Sequence, residues 1–161
     1  MPVIIMVDLN DIRSRTITVK EYIDNLDEKN KDILDGMYKE YNLDTNAVEE
    51  LKNLTKDLTV VVFSAAWCGD CKRAMPIMLH LEEKIGLDVR VFSGIKTAPL
   101  DPNRQWAIPP SPQEIDDWEV KAIPWFEFID KDGNRVAILI EKPTVKDTLE
   151  EEIVHVLQPT I

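Results

Sequence analysis

Cysteine is scarce in this chain of 161 residues: there are two, and both lie in residues 67–72, which read W-C-G-D-C-K. A disulfide between Cys68 and Cys71 would close too short a loop to restrict the unfolded chain much, so a structural staple is disfavoured. The interpretations that remain are a redox pair, part of a metal site and a chance placement on one helix.

Histidine is as scarce as cysteine, with His80 and His155 the only two. A closed structural zinc site needs four ligands, and the cysteines offer two sulfur atoms. His80 comes nine residues after Cys71 on the same predicted helix, which is too far along it to share a metal ion. We therefore predict no metal site and no cofactor within one chain. A metal ion or iron–sulfur cluster bridged between two subunits is left open.

Basic residues are few, with 19 lysines and arginines against 30 acidic residues and a formal net charge of -11. Such a surface repels phosphate backbones and anionic lipids, which argues against nucleic acid or a membrane as partner. The apolar run at residues 3–7 is too short to span a bilayer and lacks the flanks of a signal peptide. We therefore expect a cytoplasmic protein, in a compartment where thiols are kept reduced.

Apolar residues are plentiful at 44%, which suits a compact domain with a core. The first third has the apolar spacing of helices. Thr18, with a glutamate three residues later, predicts a capping box, and the polar residues 27–32 can divide this region into two helices. Another helix is predicted at residues 47–54, capped by Thr45 or Asn46.

A different pattern follows the helical region. Residues 58–63 and 88–93 read as buried strands, and the helix between them is predicted to end at Gly86. Because strand–helix–strand units are right-handed crossovers, these strands should be parallel. Residues 125–130 and 136–140 read as the two strands of a hairpin.

Two further stretches complete the chain. The last helix is predicted to open at Thr144 and to stop at Pro159. Residues 94–113 contain five prolines and cannot form a single element. With Trp106 and Trp118, this insert is either a lip that selects substrates or a solvated loop packed on its own tryptophans.

The spacing of the cysteines on a helix gives them different roles. Cys68 is predicted to precede the helix, where free backbone N–H groups and the positive end of the dipole stabilise a thiolate. Cys68 is therefore the expected nucleophile. Cys71, one turn inside the helix, is placed to attack a mixed disulfide at Cys68 and release the substrate. Gly69 allows the tight entry into the helix, and Trp67 should form an apolar wall beside the thiol.

The longer segment W-C-G-D-C-K-R-A-M-P resembles the active-site signature of the thioredoxin superfamily, W-C-G-P-C-K followed by a helix with a kinking proline. Pro76 stands at the position of that kink. Residues 122–124, A-I-P, resemble the loop in which the family holds a cis-proline opposite the thiols. The resemblance covers about residues 58–157, and the helical leader is similar to a bacterial and archaeal thioredoxin-like branch.

The resemblance implies an α/β, thioredoxin-like fold with a mixed central sheet flanked by helices. Residues 58–161 would form the thioredoxin-like domain, and residues 1–57 a helical extension packed on its core. The peptide bond before Pro124 would be cis and would present the backbone of Ile123 to a bound substrate strand. The resemblance also implies that Pro124 keeps metal ions away from the thiols.

Three departures from the family pattern bear on the chemistry. Asp70 replaces the proline between the cysteines, where its carboxylate opposes the Cys68 thiolate by like charge and favours the start of the helix. The family's buried acid, which accepts a proton from the second cysteine, falls at Val62. Glu127 is a candidate substitute, with a solvent-facing Glu127 as the alternative. The family's glycine after the last strand falls near Glu141, which predicts a narrower and more acidic docking face.

We expect a thiol–disulfide oxidoreductase that reduces protein disulfides by dithiol exchange through Cys68 and Cys71. By resemblance, a reductase that uses a flavin and NADPH would recharge the pair, linking it to electron transport. The alternative is a thioredoxin scaffold that binds a partner with little turnover and bridges a metal ion or cluster between subunits. The absent buried acid favours this alternative, whereas the intact cysteine pair with Trp67 and Pro124 argues against it.

Overall fold

A computed structural model of the chain describes residues 5–95 and 111–158. In chain order, these residues form α1 (Leu9–Arg15), α2 (Val19–Asp24), α3 (Glu28–Glu40), α4 (Thr45–Leu54), β1 (Leu58–Phe63), α5 (Gly69–Ile85), β2 (Asp88–Phe92), α6 (Glu114–Asp117), β3 (Trp125–Asp130), β4 (Arg135–Ile140) and α7 (Leu149–Leu157). None of these helices is long and apolar enough to cross a bilayer.

The strands form one mixed sheet in the order β2-β1-β3-β4. β1 and β2 are parallel, as the predicted crossover requires, and β1 pairs antiparallel with β3. β3 and β4 form the predicted antiparallel hairpin. The predicted α/β architecture, with a mixed sheet flanked by helices, is confirmed.

The central strand β1 is buried on both faces because its apolar run has no polar alternation. Its alternate side chains enter two different cores. Val60 and Val62 pack in a core that includes Met75 of α5, together with residues of the N-terminal helices and α7. Val61 and Phe63 belong to the second core, which contains both cysteines.

The N-terminal helices α2, α3 and α4 pack on α5 and α7, and they share the first core with β1. The predicted capping box at Thr18 is present, and the polar stretch does divide α2 from α3, with Asp27 capping α3. Glu82 of α5 fixes the start of α2, since its carboxylate accepts the backbone N–H groups of Val19 and Lys20 at 3.0 and 3.2 Å. The domain boundary at residue 57 stays a prediction.

Two predicted helix starts are wrong. α4 begins at Thr45 and is capped by Asp44, whose carboxylate accepts the N–H of Ala47. α7 begins at Leu149 with Thr148 as its cap, rather than at Thr144. The reason is the carboxylate of Glu152, which accepts the N–H groups of residues 144–146 and holds them as a loop.

Two described helices, α1 and α6, were not predicted, and some predicted features fall outside the described residues. α1 has seven residues, too few to show a helical period, and Asp8 caps it. Pro159, Trp106 and the greater part of the proline-rich insert lie outside the described residues. Trp118, just beyond that insert, is buried and packs edge-on against Phe63.

Candidate active site

Cys68 is the N-cap of α5, as predicted from the motif. Its backbone is extended, and its Sγ atom accepts the backbone N–H of Cys71 at 3.3 Å. The start of α5 thus presents a backbone N–H group to this sulfur. Cys68 is 9% exposed and Cys71 is fully buried, and both are free thiols. Cys68 is therefore the cysteine that a substrate can reach.

Cys71 is shielded from solvent one turn into α5. Burial raises the pKa of its thiol well above the ordinary value, and the neighbouring Cys68 sulfur raises it further. The backbone of Ala65 and the side chain of Ser64 face the thiol and offset part of this rise. At neutral pH Cys71 is therefore a protonated thiol that must lose its proton before it can attack a disulfide.

The loop before β3 lies directly against the thiol of Cys68. The peptide bond between Ile123 and Pro124 is cis. The Cys68 thiol donates a hydrogen bond to the carbonyl oxygen of Ile123, with a sulfur–oxygen distance of 3.6 Å. The structure thus brings Cys68 together with Ile123 and Pro124, which lie 55 or more residues further along the sequence.

An open cleft of about 420 Å³ runs over Cys68. Trp67 forms one of its walls and is 56% exposed, so it presents an apolar surface beside the thiol. Glu141 lines the same cleft with a left-handed backbone, φ 64°, a conformation that glycine adopts most readily. The lining residues are Trp67, Cys68, Gly69, Asp70, Arg73, Lys121, Ala122, Ile123 and Glu141.

Asp70 lies in the first turn of α5, where a carboxylate complements the helix dipole. It forms an ion pair with Arg73 one turn further along the helix. The arginine therefore compensates the charge of this carboxylate at the start of α5. The sequence did not indicate this pairing, although the spacing of three residues is that of a helical ion pair.

Glu127 is fully buried, so the solvent-facing alternative is wrong. Its carboxylate accepts two hydrogen bonds from Arg135, at 2.6 and 2.8 Å, and one from the indole N–H of Trp125 at 2.9 Å. The carboxylate is thus held in a bidentate ion pair within the sheet, and it is not among the groups with the largest effects on the Cys71 thiol. The hypothesis that Glu127 accepts a proton from Cys71 gains no support from this arrangement.

Two residues near Cys71 were missed by the sequence analysis. Ser64, which follows β1, is fully buried, and its hydroxyl lies 2.9 Å from the hydroxyl of Tyr22 on α2. Tyr22 is 4% exposed, and burial raises its pKa to about 12. The helical spacing of Tyr22 indicates core packing, and no sequence signal links it to Ser64, 42 residues away.

Known proteins resemble this chain in sequence and in fold. Thioredoxin H-type 1 of Nicotiana tabacum is 33% identical over 109 residues, which cover 65% of this chain and 71% of that protein. Thioredoxin H-type of Picea mariana is 31% identical over 99 residues, covering 62% of this chain and 66% of that protein. A crystal structure of a protein of unknown function from Pseudomonas aeruginosa has a TM-score of 0.65. That structure is 14% identical, with 88% of this chain and 81% of the other covered, and it shows a shared fold alone.

The family model described as thioredoxin matches residues 16–153, most of the described chain, from the end of α1 into α7. Its range includes three of the N-terminal helices, both cysteines and the loop that carries Pro124. The resemblance seen in the cysteine motif is thus confirmed over nearly the whole length, and this chain belongs to the thioredoxin family.

Proposed function

We propose that this protein reduces disulfide bonds in other proteins by dithiol exchange through Cys68 and Cys71. Family membership supports a thioredoxin-like redox function, and the reduction of protein disulfides is the finer claim. The observation that carries it is the 3.6 Å contact between the Cys68 sulfur and the carbonyl of Ile123, at the rim of an open cleft. A substrate strand that pairs with the backbone of Ile123 would have its disulfide beside the nucleophile.

The proposed reaction has two exchange steps. The Cys68 thiolate attacks one sulfur of the substrate disulfide, so that a mixed disulfide forms and the other substrate sulfur leaves as a thiolate. Cys71 then loses its proton and attacks the Cys68 sulfur, which releases the second substrate thiolate and forms the Cys68–Cys71 disulfide. The two departing thiolates take up the protons of the two cysteines. Two electrons pass from the dithiol to the substrate.

The cycle needs a reductant to restore the dithiol. By family resemblance, we propose a reductase that uses a flavin and NADPH, acting in the reducing conditions of the cytoplasm. The chain itself supplies the thiols, the cleft and the backbone contact, and no resident cofactor enters the proposed steps. The cleft that would receive both substrate and reductase carries Asp70, Glu141, Lys121 and Arg73, so charges of both signs flank the thiol.

The competing proposal is a binding module with a metal ion or cluster bridged between two subunits. Within residues 5–95 and 111–158, no three side chains of histidine, cysteine, aspartate or glutamate are placed to hold a metal ion together. Two subunits would therefore have to contribute their cysteine pairs. The two proposals differ in whether the purified protein carries a metal ion or cluster and in whether it reduces protein disulfides.

Reduction of insulin by dithiothreitol tests the proposed function. We expect the wild-type protein to accelerate the reaction, which is followed by the precipitation of the insulin B chain. Cys68→Ser should remove the acceleration completely, since the nucleophile is lost. Lys72→Ala, which alters a neighbouring residue without a thiol, serves as the control and should keep the acceleration. A wild-type protein that carries stoichiometric metal on its thiols and does not accelerate the reaction would establish the binding module instead.

A further inference from the structure

The second exchange step requires a polar partner for the negative charge that forms on the Cys71 sulfur. Cys71 is fully buried, and its thiol must become a thiolate to attack the mixed disulfide at Cys68. The negative charge forms in an apolar core, where an unpartnered anion is strongly disfavoured. Some polar group must therefore face the sulfur as it ionises.

The acidic residues considered for this task are not placed to perform it. The position that holds a buried acid by family resemblance is Val62, which packs in the first hydrophobic core. Glu127 is buried, but Arg135 and Trp125 occupy its carboxylate. The groups with the largest effects on Cys71 are the Cys68 sulfur, the backbone of Ala65 and the side chain of Ser64, none of which is a carboxylate.

The hydroxyl groups of Ser64 and Tyr22 provide a different partner. Ser64 is held at the end of β1 by a backbone hydrogen bond of 3.1 Å to Phe92. The next residue, Ala65, accepts the backbone N–H of Cys68 at 3.2 Å and packs in the same core as Cys71, so the buried Ser64 lies beside the cysteine turn. The Ser64 hydroxyl is also one of the groups that lower the pKa of the Cys71 thiol. This hydroxyl donates a hydrogen bond of 2.9 Å to the hydroxyl oxygen of Tyr22. Burial raises the pKa of the Tyr22 hydroxyl most, and the two cysteines raise it further.

We propose that the Ser64 and Tyr22 hydroxyls form a donor chain that stabilises the Cys71 thiolate during the release of substrate, in place of a buried carboxylate. When the Cys71 sulfur ionises, the Ser64 hydroxyl turns from Tyr22 and donates to that sulfur, and the Tyr22 hydroxyl donates to Ser64. The proton that Cys71 loses leaves with the departing substrate thiolate, so neither hydroxyl is consumed. Ser64 acts on the reacting atom, and Tyr22 is a positioning residue. The inference rests on the proposed role of Cys71 as the resolving thiol.

The chemistry of hydroxyl groups suits this arrangement. A hydroxyl can rotate to donate in either direction, so the chain can orient toward the sulfur when its charge develops. Since its pKa is raised to about 12, Tyr22 stays protonated and able to donate at neutral pH. Hydrogen bonds to an ionised acceptor in a low-dielectric site are stronger than those between neutral groups.

The N-terminal helix α2 has a role in the chemistry under this proposal, because it positions the Tyr22 hydroxyl. Tyr22 lies on α2, and the start of α2 is fixed to α5 by Glu82 through two backbone N–H groups. The same helix α5 carries both cysteines at its opposite end. The packing of α2 on α5 therefore holds the Tyr22 hydroxyl in position relative to Cys71.

The release of nitrothiobenzoate measures the second exchange step alone. Reduced protein is mixed with one equivalent of dithiobis-nitrobenzoate, so that Cys68 forms a mixed disulfide and releases a first nitrothiobenzoate. Attack by Cys71 then releases the second, and its rate is followed by absorbance across a range of pH. Removal of a donor to the thiolate raises the pKa of Cys71, so the pH midpoint of the second release should move upward.

We expect Ser64→Ala to slow the second release at neutral pH roughly tenfold and to raise its midpoint by about one pH unit. Tyr22→Phe should act in the same direction by roughly threefold to tenfold. Ser64→Thr, which keeps the hydroxyl, should restore the rate. Tyr38→Phe removes a hydroxyl that hydrogen-bonds Glu83, away from the thiols, and should leave both rate and midpoint unchanged.

A second release within twofold of wild type in both Ser64→Ala and Tyr22→Phe, with an unchanged midpoint, would overturn the proposal. An equal slowing by Tyr38→Phe would overturn it as well, because the effect would then be one of general stability. This assay uses no protein substrate. If Cys71 releases the second nitrothiobenzoate as expected but the protein does not accelerate insulin reduction, the proposed function is contradicted and the donor chain is supported.

Discussion

Cys71→Ser is expected to yield a protein that captures its substrate and cannot release it. Cys68 keeps its exposed edge and the N–H group of residue 71, so the first exchange should proceed at close to the wild-type rate. No thiol then remains to attack the mixed disulfide. Turnover in the insulin assay should fall to the background rate, while a covalent adduct at Cys68 accumulates.

The adduct is measured by mass spectrometry and by non-reducing electrophoresis after the variant is mixed with oxidised insulin. Dithiothreitol should reverse it. The double variant Cys68→Ser/Cys71→Ser is the matched control and should form none. Full turnover by Cys71→Ser, without an adduct, would show that Cys71 does not resolve the mixed disulfide.

Replacement of Arg135 by methionine is expected to lower the free energy of unfolding by about 3–5 kcal/mol. The change leaves the carboxylate of Glu127, which is fully buried, without its bidentate partner. The indole of Trp125 cannot neutralise that charge. β3 should lose stability most, because Glu127 lies at its middle, between partners on β1 and β4.

Urea denaturation measures this loss, and a surface ion pair gives the control. Arg13 pairs with Asp88, and the two side chains are 43% and 35% exposed. Arg13→Met should therefore cost less than about 1 kcal/mol. The double variant Arg135→Met/Glu127→Leu should recover a large part of the loss, since it removes the uncompensated charge. If Arg135→Met and Arg13→Met lowered the free energy of unfolding equally, the buried Arg135–Glu127 pair would contribute no more to stability than the surface pair.

The parts of the fold that could be predicted from sequence are those with a strong local signal. β1 is a continuous apolar run, and the cysteine motif follows it directly, so the start of α5 could be predicted to the residue. The capping box at Thr18 needs only neighbouring residues and was predicted correctly. Gly86 ends α5 with the left-handed backbone that a glycine permits.

The parts that could not be predicted depend on contacts between distant residues. The loop before α7 is held by Glu152, a residue inside the helix that follows, so the threonine at 144 gave a false start signal. The burial of Glu127 depends on Arg135, across the hairpin. The hydrogen bond between Tyr22 of α2 and Ser64 at the end of β1 joins two distant parts of the chain, and the apolar spacing of the sequence does not predict it. In each case a polar group is satisfied by a partner that the one-dimensional pattern does not reveal.

A redox titration of the purified protein against glutathione buffers tests the central claim most directly, because it measures the two thiols and needs no substrate protein. The fraction of free thiol is determined at each ratio by labelling under denaturing conditions and mass spectrometry. We predict one two-electron transition in which the free thiols of Cys68 and Cys71 disappear together. The oxidised protein should have the mass expected for an intramolecular disulfide. Accumulation of glutathione on Cys68 while Cys71 stays free, at every ratio, would contradict the account.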